Sequence, residues 1–303
     1  LRSGGLKKSP TEHLKDTAVI LNPAARGQRA KRLRARLEAL TDGCILLATS
    51  RCGDAECLAR DAVSEGFRRI IAAGGDGTVN EVVNGIAGSD AALGLLPLGT
   101  MNVFATELGL PNDLDKCWAI IQADETRLVD LPRANGKHFV QLAGIGLDAQ
   151  VVKETSLAFK RSFGPLSYLV SAAQISARPP PRLRVEAGDR GDYEGSFVLI
   201  GNGRLYGGPF PFFKQAVIDD GLFDVLVFKK LSYLDMMRYL QDVIFRSEIT
   251  SPEVEYLQTT SVRVTSEDAV PVEIDGELIG HCPVQFNIQP RGLRVFAPAA
   301  WQQ

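Results

Sequence analysis

A glycine-rich loop between a buried strand and a helix constrains this chain more than any other feature of its sequence. The loop reads Gly74-Gly75-Asp76-Gly77-Thr78-Val79-Asn80. It follows the apolar run 70–73, which predicts a buried strand. It leads into residues 79–86, whose apolar members fit one face of a helix. The glycines permit positive φ angles and let a ligand approach the backbone closely.

This loop predicts a phosphate-binding site. A helix N-terminus offers unpaired N–H groups and a partial positive charge, and both suit a phosphate. The Asp76 carboxylate would repel a bare phosphate, but it suits a Mg²⁺-bound phosphate or a reacting hydroxyl. The alternative is a tight turn in which Thr78 is the N-cap of the helix.

A second loop of the same kind, Leu98-Gly99-Thr100-Met101-Asn102, ends the apolar strand 93–97 and opens a helix over 101–108. Gly99 gives access to the backbone, and Thr100 and Asn102 offer polar side chains. In open α/β sheets, ligands bind beyond the carboxyl ends of the strands. Two such loops on neighbouring strands would therefore line one cleft.

The order of strands and helices predicts two domains. Short apolar strands at 18–21, 44–48, 68–73 and 93–97 alternate with helices over 27–41, 54–65, 79–86 and 101–108. Such alternation predicts a parallel sheet covered on both faces. After about residue 125, strands are predicted at 126–132, 137–143, 182–188, 193–201, 223–229, 261–266, 270–275, 284–289 and 292–297. These strands indicate an antiparallel second domain. Helices near 147–158 and 165–177 and an amphipathic segment at 233–240 are also predicted within it.

Composition excludes several classes of function. The 303 residues are 45% hydrophobic and 23% charged, and the net charge of -2 gives no general attraction to nucleic acid. No apolar run reaches the roughly 20 residues that a membrane-spanning helix needs. Five cysteines without metal-ligand spacing are expected to be reduced thiols of a cytoplasmic protein. Residues 1–15 are expected to form a disordered leader.

The motifs and their order resemble the diacylglycerol kinase catalytic domain, and within it the bacterial lipid kinase branch, which is related to sphingosine and ceramide kinases. The resemblance rests on Asn22-Pro23, the two glycine loops, Phe104-Ala105, 108–111, 144–149, Gly201-Asn202, 206–208, 219–225 and Asp275-Gly276-Glu277. It implies an α/β N-terminal domain with a parallel sheet, as in NAD kinases and diacylglycerol kinases. It also implies a mainly antiparallel β-sandwich C-terminal domain. Residues 16–130 would bind the nucleotide and 131–289 the lipid, while a return of 290–303 to the first domain stays open.

The resemblance further implies an ATP- and Mg²⁺-dependent kinase that phosphorylates a hydroxyl of diacylglycerol or a related amphipathic lipid. The residues that it assigns to the nucleotide are Thr49, Gly74, Gly75, Asp76, Gly77, Thr78, Val79, Asn80, Gly99, Thr100 and Asn102. A structural Mg²⁺ would be held by the Asp220 carboxylate and by the backbone carbonyls of Val217 and Leu222. Glu277 would be the general base, and Asp76 would hold the ATP-bound Mg²⁺ through water.

The residues alone leave other interpretations open. Asp220-Gly221 also fits a β-turn, Glu277 fits an exposed turn position, and Thr49 fits a simple strand end. An NAD kinase-like small-molecule kinase and a non-catalytic lipid-binding module are the alternative functions. Intact Asp76, Asp220 and Glu277 argue against the module.

Two segments depart from the family's pattern. Met101 stands where a small residue is usual and would narrow the nucleotide cleft. Residues 209–215 replace a segment that usually carries a proline. The phenylalanines of this segment, at 210, 212 and 213, would line an acyl-chain pocket, touch a membrane or pack in the core.

A basic stretch over 26–36 would be the solvated face of a helix or would meet anionic lipid. We therefore expect a cytoplasmic protein with a lipid substrate and transient peripheral contact at the inner face of the membrane. No nucleic-acid partner is expected, and homodimerisation stays open.

Overall fold

The computed structural model describes residues 14–23, 35–146, 180–230 and 251–298, together with positions 235, 238, 239, 241, 242 and 249. Within them the chain divides into two compact units. The first contains the described residues up to Gly99, then Leu108–Leu128 and the residues from Leu293 onward. The second contains Thr100–Glu107 and the described part of Val129–Gly292. The helices predicted near 147–158 and 165–177, most of segment 233–240 and residues 1–13 of the predicted leader lie outside the described residues.

The first unit is built on a parallel sheet, as predicted. Its strands are β1 (Thr17–Leu21), β2 (Ile45–Ala48), β3 (Arg69–Gly74) and β4 (Ala92–Pro97). They lie in the order β2-β1-β3-β4 and are all parallel. Strands β1, β3 and β4 are almost wholly buried apolar runs, which is typical of a parallel sheet covered by helices.

Helices flank this sheet. The described helices include residues 35–40, α1 (Asp54–Ser64), α2 (Asp76–Ile86), α3 (Val103–Glu107) in the second unit and α4 (Leu114–Gln122). Gly85 lets α1 and α2 approach closely, because a Cβ at this position would lie 2.4 Å from the Glu56 carbonyl oxygen. Trp118 and Ile121 of α4 pack in one core with Ile71 of the sheet.

Two features of these helices differ from the sequence prediction. Helix α2 begins at Asp76 and not at Val79, so the glycine loop itself forms the first helical turn. The apolar pattern could not show this, because the first turn of the helix carries a carboxylate and a glycine. Helix α4 was not predicted, although its N-cap Asp113 accepts a hydrogen bond from the Lys116 N–H at 3.1 Å.

The second unit is mainly antiparallel, as predicted. Its strands are the end of β5 (Thr126–Ala134), β6 (Lys137–His138), β7 (Leu142–Ile145), β8 (Leu183–Glu186), β9 (Asp192–Gly195), β10 (Phe197–Gly201), β11 (Leu205–Tyr206), β12 (Phe210–Pro211), β13 (Phe223–Phe228), β14 (Val254–Thr259), β15 (Ser261–Thr265), β16 (Pro271–Ile274), β17 (Glu277–His281) and most of β18 (Val284–Phe296). A short 3₁₀ turn spans Gly188–Arg190. One sheet has the order β14-β13-β10-β7-β16-β17, and in the other β15 lies between β18 and β8, with β9 beyond β8.

The central strands of the six-stranded sheet are buried on both faces. Val225 and Val227 of β13 belong to the core shared with Val262 and Val264 of β15, whereas Phe228 packs in a separate core. Successive side chains of a strand point to opposite faces. Strand β13 is buried at every position and is therefore covered on both sides, and the two cores provide this cover.

Several strand boundaries also differ from the prediction. The predicted strand 137–143 is divided into β6 and β7, because the N–H groups of Val140 and Gln141 donate to the Asp275 carboxylate and not to a neighbouring strand. The two strands predicted at 284–289 and 292–297 are one strand, β18. Strands β11, β12, β14 and β17 were not predicted; β17 contains Gly280 and lies at the edge of its sheet.

Candidate functional site

In the first unit, the residues predicted to bind the nucleotide lie at the carboxyl ends of the parallel strands. Thr49 follows β2, Asn22 follows β1, Gly74 ends β3, and Leu98-Gly99 follows β4. The N–H groups of Thr49, Asn22 and Leu98 each donate to the neighbouring strand, at 2.9 to 3.0 Å. The hydrogen bonding between neighbouring strands thus continues past the strand ends and holds these loops side by side.

The two glycine loops touch through their backbones. A Cβ atom on Gly75 would lie 3.2 Å from the Gly99 Cα, and a Cβ on Gly74 would lie 2.4 Å from the Thr78 Oγ1. The Thr78 hydroxyl is buried and accepts a hydrogen bond from the Asn22 side-chain amide at 3.0 Å. The prediction that the loops come from neighbouring strands is confirmed, and only glycine fits at position 74.

The N-cap of α2 is Gly75, so the alternative with Thr78 as N-cap is wrong. Gly75 has no side chain with which to cap the first N–H groups of the helix, in contrast to Asp113 at the start of α4. Asp76 is half-buried in the first turn of α2. Val79 and Asn80 are buried, with 6% and 2% exposure, so little of either residue is accessible to a ligand in this structure.

Carboxylates fix the segment that follows Thr49, and sequence reasoning missed this role. Asp54 accepts hydrogen bonds from the Ser50 hydroxyl and N–H at 2.5 and 2.8 Å, and these bonds lower the pKa of the carboxyl. Glu81 of α2 accepts the Ala55 N–H at 3.0 Å and so caps the start of α1. Nothing in the local sequence pairs Glu81 with a helix 26 residues away.

Within the second unit, the segment Thr100-Met101-Asn102 leads into α3. Asn102 has a positive φ of 48°, and its carbonyl accepts both the N–H and the hydroxyl of Thr106, each at 3.0 Å. The segment is thus an ordered helix start, with Thr100 exposed and Asn102 half-buried.

Glu107, the last residue of α3, is a buried carboxylate that no sequence motif marked. It accepts the Gln141 side-chain amide at 2.8 Å and the Leu205 N–H at 2.9 Å, and its Oε1 lies 3.6 Å from the Arg204 Nε. These contacts attach α3 to the loop that precedes β7 and to β11.

Glu277, the predicted base, follows a two-residue turn between β16 and β17. Asp275 and Gly276 have φ values of 46° and 83°, as a type I′ hairpin requires. The Asp275 carboxylate accepts the N–H groups of Val140, Gln141 and Leu142 at 2.8 to 3.0 Å. The Glu277 side chain is 34% exposed. Asp275 is therefore a structural anchor, and the carboxylate that remains accessible at this turn is Glu277.

The predicted Mg²⁺ loop is a turn whose polar groups are largely organised by the protein. The Asp220 N–H donates to the Val217 carbonyl at 3.3 Å, and Asp220 Oδ1 accepts the Leu222 N–H at 2.9 Å. Beneath it, the buried Asp130 carboxylate accepts the Gly221 N–H at 2.6 Å.

The same loop concentrates negative charge. Partial removal from water raises the pKa of Asp220, and the neighbouring Asp219 raises it further. Burial likewise raises the pKa of Asp130, with a contribution from Asp220. A cation bound here would offset this repulsion. The carboxylate and carbonyl oxygens of Val217, Asp220 and Leu222 are of the type that Mg²⁺ prefers.

Comparison with known proteins identifies the family. Residues 16–134 match the family described as the diacylglycerol kinase catalytic domain, and residues 142–297 match the YegS C-terminal NAD kinase beta sandwich-like domain. The chain belongs to the diacylglycerol kinase family. The resemblance in motifs and the two-part fold predicted from sequence are both confirmed, and the protein is a lipid kinase.

Individual relatives of this lipid kinase align along nearly the whole chain. It is 33% identical over 297 residues to a Chromohalobacter salexigens protein named "Probable lipid kinase YegS-like", covering 95% of each chain. It is 32% identical over 294 residues to a Staphylococcus aureus diacylglycerol kinase, covering 94% of this chain and 93% of that one. A crystal structure of a Bacillus anthracis diacylglycerol kinase superposes with a TM-score of 0.76 at 27% identity, covering 94% and 97% of the two chains.

The departures from the family pattern lie on the β11–β12 hairpin of this kinase and beside it. A Cβ on Gly208, in the hairpin turn, would lie 2.6 Å from the Met101 terminal methyl, so Met101 packs against that turn. Phe213 is wholly buried in the core, which settles its role as core packing. Phe212 packs edge-on against Tyr206 with ring centroids 4.8 Å apart.

Two further observations bear on the predicted membrane contact of the kinase. Arg36, the described member of the basic stretch, forms an ion pair with Asp115; the other basic residues of that stretch lie outside the described residues. Among the helices that the structure describes, none combines the length and apolar character needed to cross a membrane.

Proposed function

We propose that this lipid kinase transfers the γ-phosphoryl group of ATP to a hydroxyl of diacylglycerol or a related amphipathic lipid, with Mg²⁺ as cofactor. Because its acceptor resides in a membrane, the enzyme would contact the bilayer transiently. The names of the staphylococcal and Bacillus relatives support diacylglycerol as the first acceptor to test.

The observation that carries this proposal is the backbone contact of the two glycine loops at the carboxyl edge of the parallel sheet. Glycine at position 74 is required by the Thr78 hydroxyl, and the N-cap residue of α2, Gly75, has no side chain that would stand between the helix start and a ligand. A phosphate at this helix start would receive N–H donors and the favourable end of the helix dipole. Thr49 and Gly99 lie on the same edge.

Two carboxylates would serve the metal ions that the proposal requires. Asp76, at the start of α2, would hold the Mg²⁺ of the nucleotide through water, where the ion neutralises charge on the phosphates. Asp220 would hold a structural Mg²⁺ with the carbonyls of Val217 and Leu222. The raised pKa values of Asp220 and Asp130 fit a loop whose like charges a cation would relieve.

Glu277 would act as the general base. A lipid hydroxyl is a weak nucleophile, and a carboxylate within hydrogen-bond reach can accept its proton as the oxygen forms its bond to the γ-phosphorus and ADP leaves. Asp275, the other carboxylate of the turn, is unsuited to this role because three backbone N–H groups occupy its oxygens.

The test is an acceptor screen with γ-phosphate-labelled ATP. The purified chain is incubated with ATP, Mg²⁺ and mixed micelles that contain diacylglycerol, ceramide, sphingosine or monoacylglycerol, and in a separate arm with NAD. We expect label in the lipid fraction of at least one micelle, with diacylglycerol the first candidate, and none in NAD. Label in NAD alone would support an NAD kinase-like enzyme, and ATP left intact with every acceptor would contradict kinase activity.

A further inference from the structure

We infer that Lys137 is a positioning residue for the Glu277 carboxylate. The Lys137 ammonium donates to Glu277 Oε2 at 3.3 Å. This inference rests on the proposed role of Glu277 as the base and adds a residue to that machinery. The sequence offered no sign of it, because the two residues are 140 positions apart.

Lys137 is the first residue after a tightly fixed turn. Asn135 and Gly136 have φ values of 46° and 94°, and they join β5 to β6 in a two-residue hairpin in which Ala134 pairs with Lys137. Asn135 exchanges two hydrogen bonds of 3.0 Å with Gln285, one through its N–H and one through its side-chain carbonyl. The start of the lysine side chain is therefore held in place by the backbone.

Glu277 is fixed in a matching way. It is the first residue after the Asp275-Gly276 turn, and the Gly276 N–H donates to the buried Glu273 carboxylate at 2.7 Å. The Asp275 carboxylate binds residues 140–142, only three residues beyond Lys137. One short segment, 137–142, thus supplies the lysine and anchors the turn that carries the base.

This arrangement distinguishes the two oxygens of the base. With the ammonium at Oε2, Oε1 is left to accept the proton of the lipid hydroxyl. The hydroxyl oxygen then forms its bond to the γ-phosphorus, and the bond from that phosphorus to the ADP oxygen breaks. A base that is held in one orientation already has its reactive side-chain conformation before the phosphoryl group is transferred, which is the advantage of a preorganised group.

Stability alone does not account for the pair. The Lys137 and Glu277 side chains are 41% and 34% exposed, and exposed ion pairs contribute little to folding. The Lys229–Glu255 pair provides a control in the same unit, because its side chains are 44% and 42% exposed and Glu255 lies on β14, at the opposite edge of the sheet from β17.

The experiment compares Lys137→Met, Lys137→Arg and Lys229→Met, with Lys137→Met also made in the Glu277→Gln background. Steady-state rates are measured with labelled ATP and the lipid acceptor, together with melting temperatures. We expect Lys137→Met to lower kcat about tenfold, a fraction of the loss expected for removing a base, with an unchanged KM for ATP. Lys137→Arg should recover most of the rate, and Lys229→Met should match the wild type.

In the Glu277→Gln background, Lys137→Met should cause no further loss, because the carboxylate that it positions is gone. A wild-type kcat in Lys137→Met, or a loss that adds in full to that of Glu277→Gln, would overturn the inference. A raised KM for ATP at unchanged kcat would also overturn it and make Lys137 a nucleotide contact. A wild-type kcat in Glu277→Gln would instead reject the proposed base, and the inference with it.

Discussion

Gly74 faces the Thr78 hydroxyl so closely that a Cβ at position 74 would lie 2.4 Å from its oxygen. Real Cβ atoms do not come this near to another heavy atom, so either the loop or the helix start must move when a side chain is added. The glycine at the end of β3 is thus required by packing inside the protein as well as by any ligand outside it.

The first prediction compares two glycine substitutions in this loop. Gly74→Ala should destabilise the protein by about 1–3 kcal/mol, the usual cost of overpacking, and should weaken ATP binding. Gly75→Ala is the matched variant: its Cβ would meet the Gly99 Cα at 3.2 Å, a milder contact than the one at position 74, so we expect a smaller stability loss. Chemical unfolding and nucleotide titration measure both effects. Equal stability losses in the two variants would contradict this account of the loop.

The second prediction concerns the nucleotide carboxylate. Asp76→Ala should abolish phosphoryl transfer and leave the melting temperature near that of the wild type, because the half-buried side chain contributes little to the core. Asp90→Ala, which removes an exposed carboxylate from the loop after α2, is the control and should retain full activity. Near-normal turnover in Asp76→Ala would remove Asp76 from the metal–phosphate chemistry.

The third prediction concerns the acidic turn. Mg²⁺ should raise the melting temperature of the wild type, since a ligand that binds the folded state stabilises it by about 2.7 kcal/mol at a hundredfold excess over its Kd. Asp220→Ala should abolish this rise and lower activity, whereas Asp219→Ala should keep most of it. If Asp220→Ala still gains the wild-type increment, the loop is only a turn.

The fourth prediction concerns the cysteines, which are all free thiols. Burial raises the pKa of Cys44, Cys117 and Cys282 to about 11, so these thiols stay protonated at pH 8. Alkylation at pH 8 followed by mass spectrometry should therefore modify the exposed Cys52 and Cys57 first. All five should react in urea, and modification of native Cys117 as fast as Cys52 would contradict the burial of its helix.

The same pKa values determine whether the stability of the folded protein rises or falls with pH. The folded state binds the three thiol protons more tightly than the unfolded chain, whose thiols titrate near 9.0. Stability should therefore fall as the pH rises through the window from 9 to 11. The Cys117→Ser variant should show a smaller fall.

Most strands and helices of the first unit could be predicted from the sequence, because their signals are local. The apolar runs at 18–21, 70–73 and 93–96 are buried on both faces, and the second and third lead into the loops in which Gly75 and Gly99 approach each other closely. Helix α4 could have been predicted, because its buried Leu114, Cys117, Trp118 and Ile121 have the i, i+3, i+4, i+7 spacing of one helical face. The predicted start of α2 was three residues too late, because the glycine and the aspartate of its first turn do not belong to the apolar pattern of the helix.

The site was predictable where a motif occupies one stretch of chain, and unpredictable where it depends on distant partners. The glycine loops could be selected from the residues themselves, whereas the Asp220 turn and Glu277 were selected only through the resemblance to the family. Their supports could not, since Glu81 caps a helix 26 residues away and Asp275 binds N–H groups some 135 residues away. Such contacts follow from the tertiary fold and leave no local pattern.

The central claim is that this chain transfers phosphoryl groups from ATP to a lipid hydroxyl with Glu277 as the base. The most direct test is the kcat of Glu277→Gln for diacylglycerol phosphorylation at saturating labelled ATP, beside the wild type. Glutamine keeps the size and the hydrogen bonding of glutamate but cannot accept the proton. We predict a fall in kcat of about 10²–10⁴-fold with nearly unchanged ATP affinity. A wild-type kcat in this variant, or a loss confined to ATP affinity, would contradict the account.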